Sequence, residues 1–147
     1  MGRNRGLRVT EIFKLEPKTE LRLPLFISRM PAGFPSPASD YVEQKLDLNE
    51  YLIKHPAATY FVRVEGDSMI NAGIFENDVL IVDRALEARN NDVVVAVLNG
   101  ELTVKRIHYK NDRAFLIADN PDYNPMEITP EMDFNIWGVV TYVIHKP

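Results

Sequence analysis

The chain contains no cysteine. That excludes a disulfide framework, thiolate chemistry and any cysteine-based zinc site. Long apolar runs are missing too. The nearest candidate, Leu23-Pro24-Leu25-Phe26-Ile27, falls far short of the roughly 18 residues that a membrane helix requires. No basic head, long apolar stretch and small-residue cleavage site combine into a secretory leader. There is no internal repeat, no low-complexity tract, and only three histidines. A cytoplasmic globular protein is expected, with no metal, no other cofactor and no membrane partner.

What is present fits one domain of ordinary size with a tail: 147 residues, 46% hydrophobic and 26% charged. The net charge of -4 hides an asymmetry. Residues 1–32 hold seven Lys or Arg (Arg3, Arg5, Arg8, Lys14, Lys18, Arg22, Arg29) against three Glu, and the remainder holds ten against eighteen acids. An acidic body of that kind is a poor sequence-independent binder of duplex DNA, because Lys and Arg contacts to phosphate supply most of that affinity. Direct DNA binding is not expected, so any link to nucleic acid would run through a partner.

Residues 1–31 show no sustained period, and Pro17, Pro24 and Pro31 interrupt any helix. The run Pro31-Ala32-Gly33-Phe34-Pro35-Ser36-Pro37 reads as an exposed, extended linker that proteases reach. Ser36 can cap a helix with Pro37 at its first position. Asp47-Leu48-Asn49-Glu50 resembles a second cap, starting a short helix that ends near His55-Pro56. Beyond Pro56 the character turns to strands: Thr59 to Val64, Val79 to Val82, Asp92 to Leu98, Glu101 to Tyr109, Ala114 to Ala118 and Ile136 to Ile144. Asn99-Gly100 between two of them suits a type I′ hairpin. The fold class is mainly β, a compact barrel or sandwich with one or two short helices and an extended N-terminal arm.

Chemistry concentrates at Gly66-Asp67-Ser68-Met69, where the first strand after Pro56 ends. A serine in a Gly-containing turn can present its hydroxyl beside backbone amides able to stabilise an oxyanion. Asp67 and Ser68 can equally be residues that merely satisfy a turn. A serine nucleophile needs a base. His55, His108 and His145 are far apart in sequence, and no Asp or Glu stands in a telling relation to them, so a Ser-His-Asp set is not expected. The remaining option is Lys105, on the second arm of the Asn99-Gly100 hairpin and on the same face as Thr103 and Ile107. At an unperturbed pKa only about one lysine in 2,500 is neutral at pH 7, a handicap of roughly 4.6 kcal/mol. Burial can lower that pKa by up to about 3–5 units. Lys105 can therefore act as a base only if walled off from water; otherwise it is a solvated charge beside Arg106.

A resemblance sharpens these alternatives. The linker from Ala32 to Pro37, then Asp40-Tyr41-Val42-Glu43-Gln44, Asp47-Leu48-Asn49, His55-Pro56, Ala58-Thr59-Tyr60-Phe61-Val62, Gly66-Asp67-Ser68-Met69, Leu80-Ile81-Val82-Asp83 and Thr103-Val104-Lys105 run in the order found in the UmuD branch of the LexA-type self-cleaving serine peptidases, peptidase family S24. The resemblance covers residues 32–147. It implies a Ser68/Lys105 dyad, with the backbone amides of Asp67 and Ser68 as the oxyanion hole. It also implies self-cleavage at Ala32–Gly33, dividing the chain into an arm of residues 1–32 and a catalytic and dimerisation body of residues 33–147. Alanine precedes that bond where the best-known member has cysteine, and Asn77-Asp78 stands where the family often has Gly-Asp. The implied biology is the SOS response: stimulation by RecA filaments on single-stranded DNA, a homodimer, and a UmuC-type Y-family polymerase subunit in translesion synthesis. Residues 1–31 are too few, and too broken by proline, for a repressor's helix-turn-helix domain. The alternatives are a non-catalytic dimeric polymerase accessory and a truncated LexA-type regulator.

Overall fold

Val93–Leu98 is apolar at every position and Glu101–Lys110 alternates polar and apolar residues as far as Lys105, so the two make a hairpin with one largely covered arm. The Asn99-Gly100 turn has φ of 49° and 84°, the left-handed pair that a type I′ connection demands. The computed structural model describes residues 6–15, 22–26 and 42–147. Among them are ten strands: β1 (Arg8–Lys14), β2 (Arg22–Phe26), β3 (Val42–Asp47), β4 (Thr59–Glu65), β5 (Val79–Asp83), β6 (Val93–Leu98), β7 (Glu101–Lys110), β8 (Arg113–Ile117), β9 (Met126–Glu127) and β10 (Phe134–Ile144). No described helix is long and apolar enough to cross a membrane.

Eight strands form one sheet in the order β1-β4-β5-β10-β6-β7-β8-β9, and β1 also pairs with β7. That extra pairing closes β1, β4, β5, β10, β6 and β7 into a ring. Alternate residues of its walls point inward: Val62 and Val64 of β4, Leu80 and Val82 of β5, Val95 of β6 and Val104 of β7 share one buried cluster with Leu7, Met69 and Ile74. The opposite face of β6 and β7 is covered as well, by a second cluster of Val94, Ala96, Ile107, Leu116 and Val139. Two covered faces explain why β6 is apolar throughout. Bulges in β10, between Ile136 and Gly138 and between Val140 and Tyr142, bend it to serve both β6 and β5.

Residues Glu16–Lys54 make a separate compact unit. In it β2 and β3 pair antiparallel, and α1 (Leu48–Leu52) follows with Asp47 as its cap, accepting from Asn49 N at 3.0 Å. The capped helix matches expectation but stops at Leu52, ahead of a 3-10 turn at Pro56–Ala58. The Ser36–Pro37 cap lies outside the described residues.

One strand lies where the sequence shows no sustained period. Residues 8–14 are the ring-closing strand β1. Its period was hidden by a register shift between Val9 and Glu11, which destroys two-residue alternation. Its burial resides in Leu7, just before the strand; β1 itself is mostly exposed.

Candidate active site

At the end of β4 the chain turns through Gly66, whose φ of 109° is open to glycine and strained for other residues. Asp67 and Ser68 follow, then a 3-10 turn at Ile70–Ala72. Ser68 is fully buried. Lys105, in the middle of β7, points its Nζ to 2.9 Å from Ser68 Oγ. The fold thus joins two residues separated by 37 positions. A second donor reaches the same oxygen: the backbone N–H of Leu7, at 2.7 Å.

Burial pushes the Lys105 pKa down from 10.5 to about 8, against a smaller upward pull from the Asp67 carboxylate. A hydroxyl cannot compensate a buried ammonium as a carboxylate would, so the neutral amine gains. At pKa 8 about one amine in ten is neutral at pH 7, roughly two hundred times the unperturbed fraction. The Nζ also lies 5.5 Å from the centre of the Tyr123 ring, and Tyr123 Oη donates to Asp67 Oδ1. Beside the pair opens a cleft of about 650 Å³ whose lining includes Arg8, Asp67, Leu102, Thr103, Lys105 and Tyr123.

The segment after β8 braces the serine turn. Asn120 is buried; its Nδ2 donates to Asp67 O at 2.9 Å, and its Oδ1 accepts from Asp122 N at 3.0 Å. Asp119 O accepts from Asn71 N, while Arg106 donates twice to Asp119 Oδ2, at 2.9 and 2.7 Å. A trans peptide holds C=O and N–H on opposite sides. Anchoring Asp67 O on Asn120 therefore fixes the direction of the Ser68 N–H. Sequence reasoning missed Leu7, Asn120 and Tyr123. Asn120-Pro121 carries a turn signature, but nothing local ties that turn to Ser68.

The histidines behave differently from expectation. His55 Nδ1 meets the buried Asp83 at 2.6 Å and His145 Nδ1 meets the buried Asp78 at 2.6 Å, so two of the three do have acid partners. The partners lie 28 and 67 positions away, contacts that only the folded sheet creates. Among the described residues, the groups within hydrogen-bonding reach of Ser68 Oγ are Lys105 and Leu7, not an imidazole. Among the described residues no cluster of three or more His, Asp or Glu could hold a metal ion. The Ala32–Gly33 bond lies outside the described residues.

The fold places a buried hydroxyl beside a desolvated amine, and comparison with known proteins gives the family. Residues 24–141 match the Peptidase S24-like family, and the chain belongs to it. It is 50% identical to Protein SamA of Salmonella typhimurium over 123 residues, 84% of this chain and 85% of that protein. It is 46% identical to Protein MucA of Escherichia coli over 121 residues, 82% of each. Both relatives are UmuD-like SOS mutagenesis proteins. The LexA repressor of Shewanella baltica is 42% identical over 127 residues, 86% of this chain and 60% of the repressor.

Proposed function

We propose that this chain is a self-cleaving serine peptidase of SOS mutagenesis, cutting its own Ala32–Gly33 bond with Ser68 as nucleophile and Lys105 as general base. The observation that carries the reading is the 2.9 Å approach of a desolvated Lys105 Nζ to Ser68 Oγ. In the neutral form Lys105 takes the Ser68 proton as Oγ attacks the Ala32 carbonyl carbon. The oxyanion is held by the backbone N–H groups of Asp67 and Ser68, the latter aimed by Asn120. Lys105 then gives its proton to the Gly33 amine as the C–N bond breaks, and water hydrolyses the Ala32 ester. Tethering makes the attack unimolecular, and well-oriented intramolecular reactions reach effective molarities of about 10⁵–10⁸ M. Restraint then comes from the rarity of the cleavable pose, which an activator enriches by binding it preferentially.

The activator proposed, on the family resemblance, is a RecA filament on single-stranded DNA. In this reading the processed protein, residues 33–147, acts as a cytoplasmic homodimer joined to a UmuC-type Y-family polymerase in translesion synthesis. Cleavage removes the basic arm and leaves the acidic body, suited to protein contacts more than to gripping DNA.

The test is self-cleavage of pure protein from pH 6 to 10. A general base must be uncharged, and deprotonation grows as pH rises. The rate should therefore climb about tenfold per pH unit and flatten above pH 8. The new N-terminus should be Gly33, and Ser68→Ala should abolish it. No fragment at any pH, with RecA filaments also present, would refute the peptidase. The complete burial of Ser68 favours a second reading, a non-catalytic polymerase accessory, and that outcome would select it.

A further inference from the structure

The residue that seals Ser68 immediately precedes the strand that closes the ring. Leu7 donates its N–H to Ser68 Oγ, and its carbonyl accepts from Val104 N and Thr103 Oγ1, each at 3.1 Å. Its side chain is fully buried among Val62, Val64, Met69 and Val104. Backbone and side chain are thus both bound, as a peptide ligand is bound when it adds a strand to a sheet edge and drops a side chain into a pocket.

This arrangement is incompatible with attack. A hydroxyl oxygen has two lone pairs, and both are engaged when the Leu7 amide and the Lys105 ammonium donate to it. Deprotonating Lys105 leaves the Leu7 N–H in place, and Ser68 presents no surface to an incoming carbonyl. The Gly6–Leu7 peptide shows Oγ its N–H edge. Attack requires approach over the face of a carbonyl carbon, so this bond is seated but not cleavable.

The rest of the strand pairs with β4 at six positions, from Arg8↔Glu65 to Lys14↔Tyr60, but buries little side chain. β1 is largely exposed, its register slips between Val9 and Glu11, and its pairing to β7 is the single match Arg8↔Thr103. Its outer contacts are exposed charge pairs, Arg8 with Glu65 and Glu11 with Arg63, of the kind that contribute little in water. One buried side chain, backbone pairing along an edge and exposed side chains elsewhere describe a bound peptide strand better than a core strand. Leu7–Lys14 also precedes Ala32–Gly33, so cleavage there would sever it from the body.

We propose that the groove between β4 and β7 is a strand-binding site whose resident ligand is Leu7–Lys14, and that this segment leaves the groove before Ser68 reacts with a peptide carbonyl. The assignment rests on the peptidase reading for its consequence, but not for its test. The chain has no cysteine, so Glu11→Cys with Arg63→Cys introduces a single possible disulfide between facing positions of β1 and β4. The full-length double variant is compared oxidised and reduced, with thiol loss checked by mass. Two readouts are taken: self-cleavage at pH 9, and covalent labelling of Ser68 by a small fluorophosphonate. Locking the strand removes the competent population, so both rates should fall at least about tenfold on oxidation and recover on reduction. Leu7→Ala, which weakens the anchor, should label several-fold faster than the unmodified chain. Equal labelling in the two redox states, including none in either, overturns the proposal. Redox-dependent labelling without any fragment retains the groove and overturns self-cleavage instead.

Discussion

Lys105 and Arg106 are neighbours on β7, yet the two sides of that strand treat positive charge in opposite ways. Arg106 has a carboxylate: two donations to Asp119 and a third bond, Nη1 to Asn91 O at 2.7 Å. Lys105 faces a neutral hydroxyl and an aromatic ring, with the nearest acid, Asp67, already accepting from Tyr123. One cation is compensated and braces the loop holding Asp119 and Asn120. The other is left under-compensated, and its pKa drops to about 8. Reactivity here comes from what the fold withholds from a lysine, since a paired, solvated amine one residue away would stay charged.

The contrast breaks most sharply when Lys105 is replaced. Lys105→Ala should slow self-cleavage by about 10²–10⁴-fold or more, the usual contribution of general acid–base catalysis, and Lys105→Arg should do the same because guanidinium keeps its proton. Fragment yield over time on gels measures both. An active arginine variant would end the general-base role. Asp67→Asn removes the carboxylate that favours the charged amine, so the bend in the pH profile should move to lower pH. With about one amine in ten already neutral at pH 7, the gain there is capped near tenfold. A shift to higher pH would contradict the assigned electrostatics.

Stability sharpens the same comparison. The folded-state pKa of Lys105 lies below its unfolded value, so burying the ammonium weakens the fold as pH drops below 10.5, fully so below 8. Lys105→Met should then stabilise by about 1–3 kcal/mol at pH 7 after allowance for solvent screening, an advantage that fades by pH 10.5. Denaturant melts at pH 7 and 10.5 read it, and a pH-independent difference would show that packing dominates. Arg106→Ala should cost about 1–2 kcal/mol by leaving Asp119 unpartnered, while the bend near pH 8 stays where it was. A moved bend would mean that the two faces are electrically coupled.

Several elements were legible because their causes are local. Asn99-Gly100 announced its hairpin through two positive φ angles, and Asp47 announced α1 through a side chain that reaches its own helix. β4 and β5 showed themselves by β-branched and apolar residues. β1 did not, because a bulge erased its alternation and its anchor is one leucine. β9, two residues long, is too short for any period. Ser68 and Lys105 were nominated, but turn and surface readings stood beside the catalytic one until a family resemblance weighed in. Asn120, Tyr123 and the aspartate partners of His55 and His145 could not be nominated, since each acts through a contact 28 to 67 positions away.

The order of residues by itself determined the strand-rich class, the hairpins, the charge split between arm and body, and which hydroxyl and amine were available. Those properties follow from backbone preferences and composition, which act over a few positions. Only the closed ring decided that the amine loses water, that Asn120 aims the Ser68 amide, and that Leu7 sits on the Ser68 oxygen. Desolvation and hydrogen-bond geometry depend on which distant strands become neighbours, and that is a property of the assembled barrel.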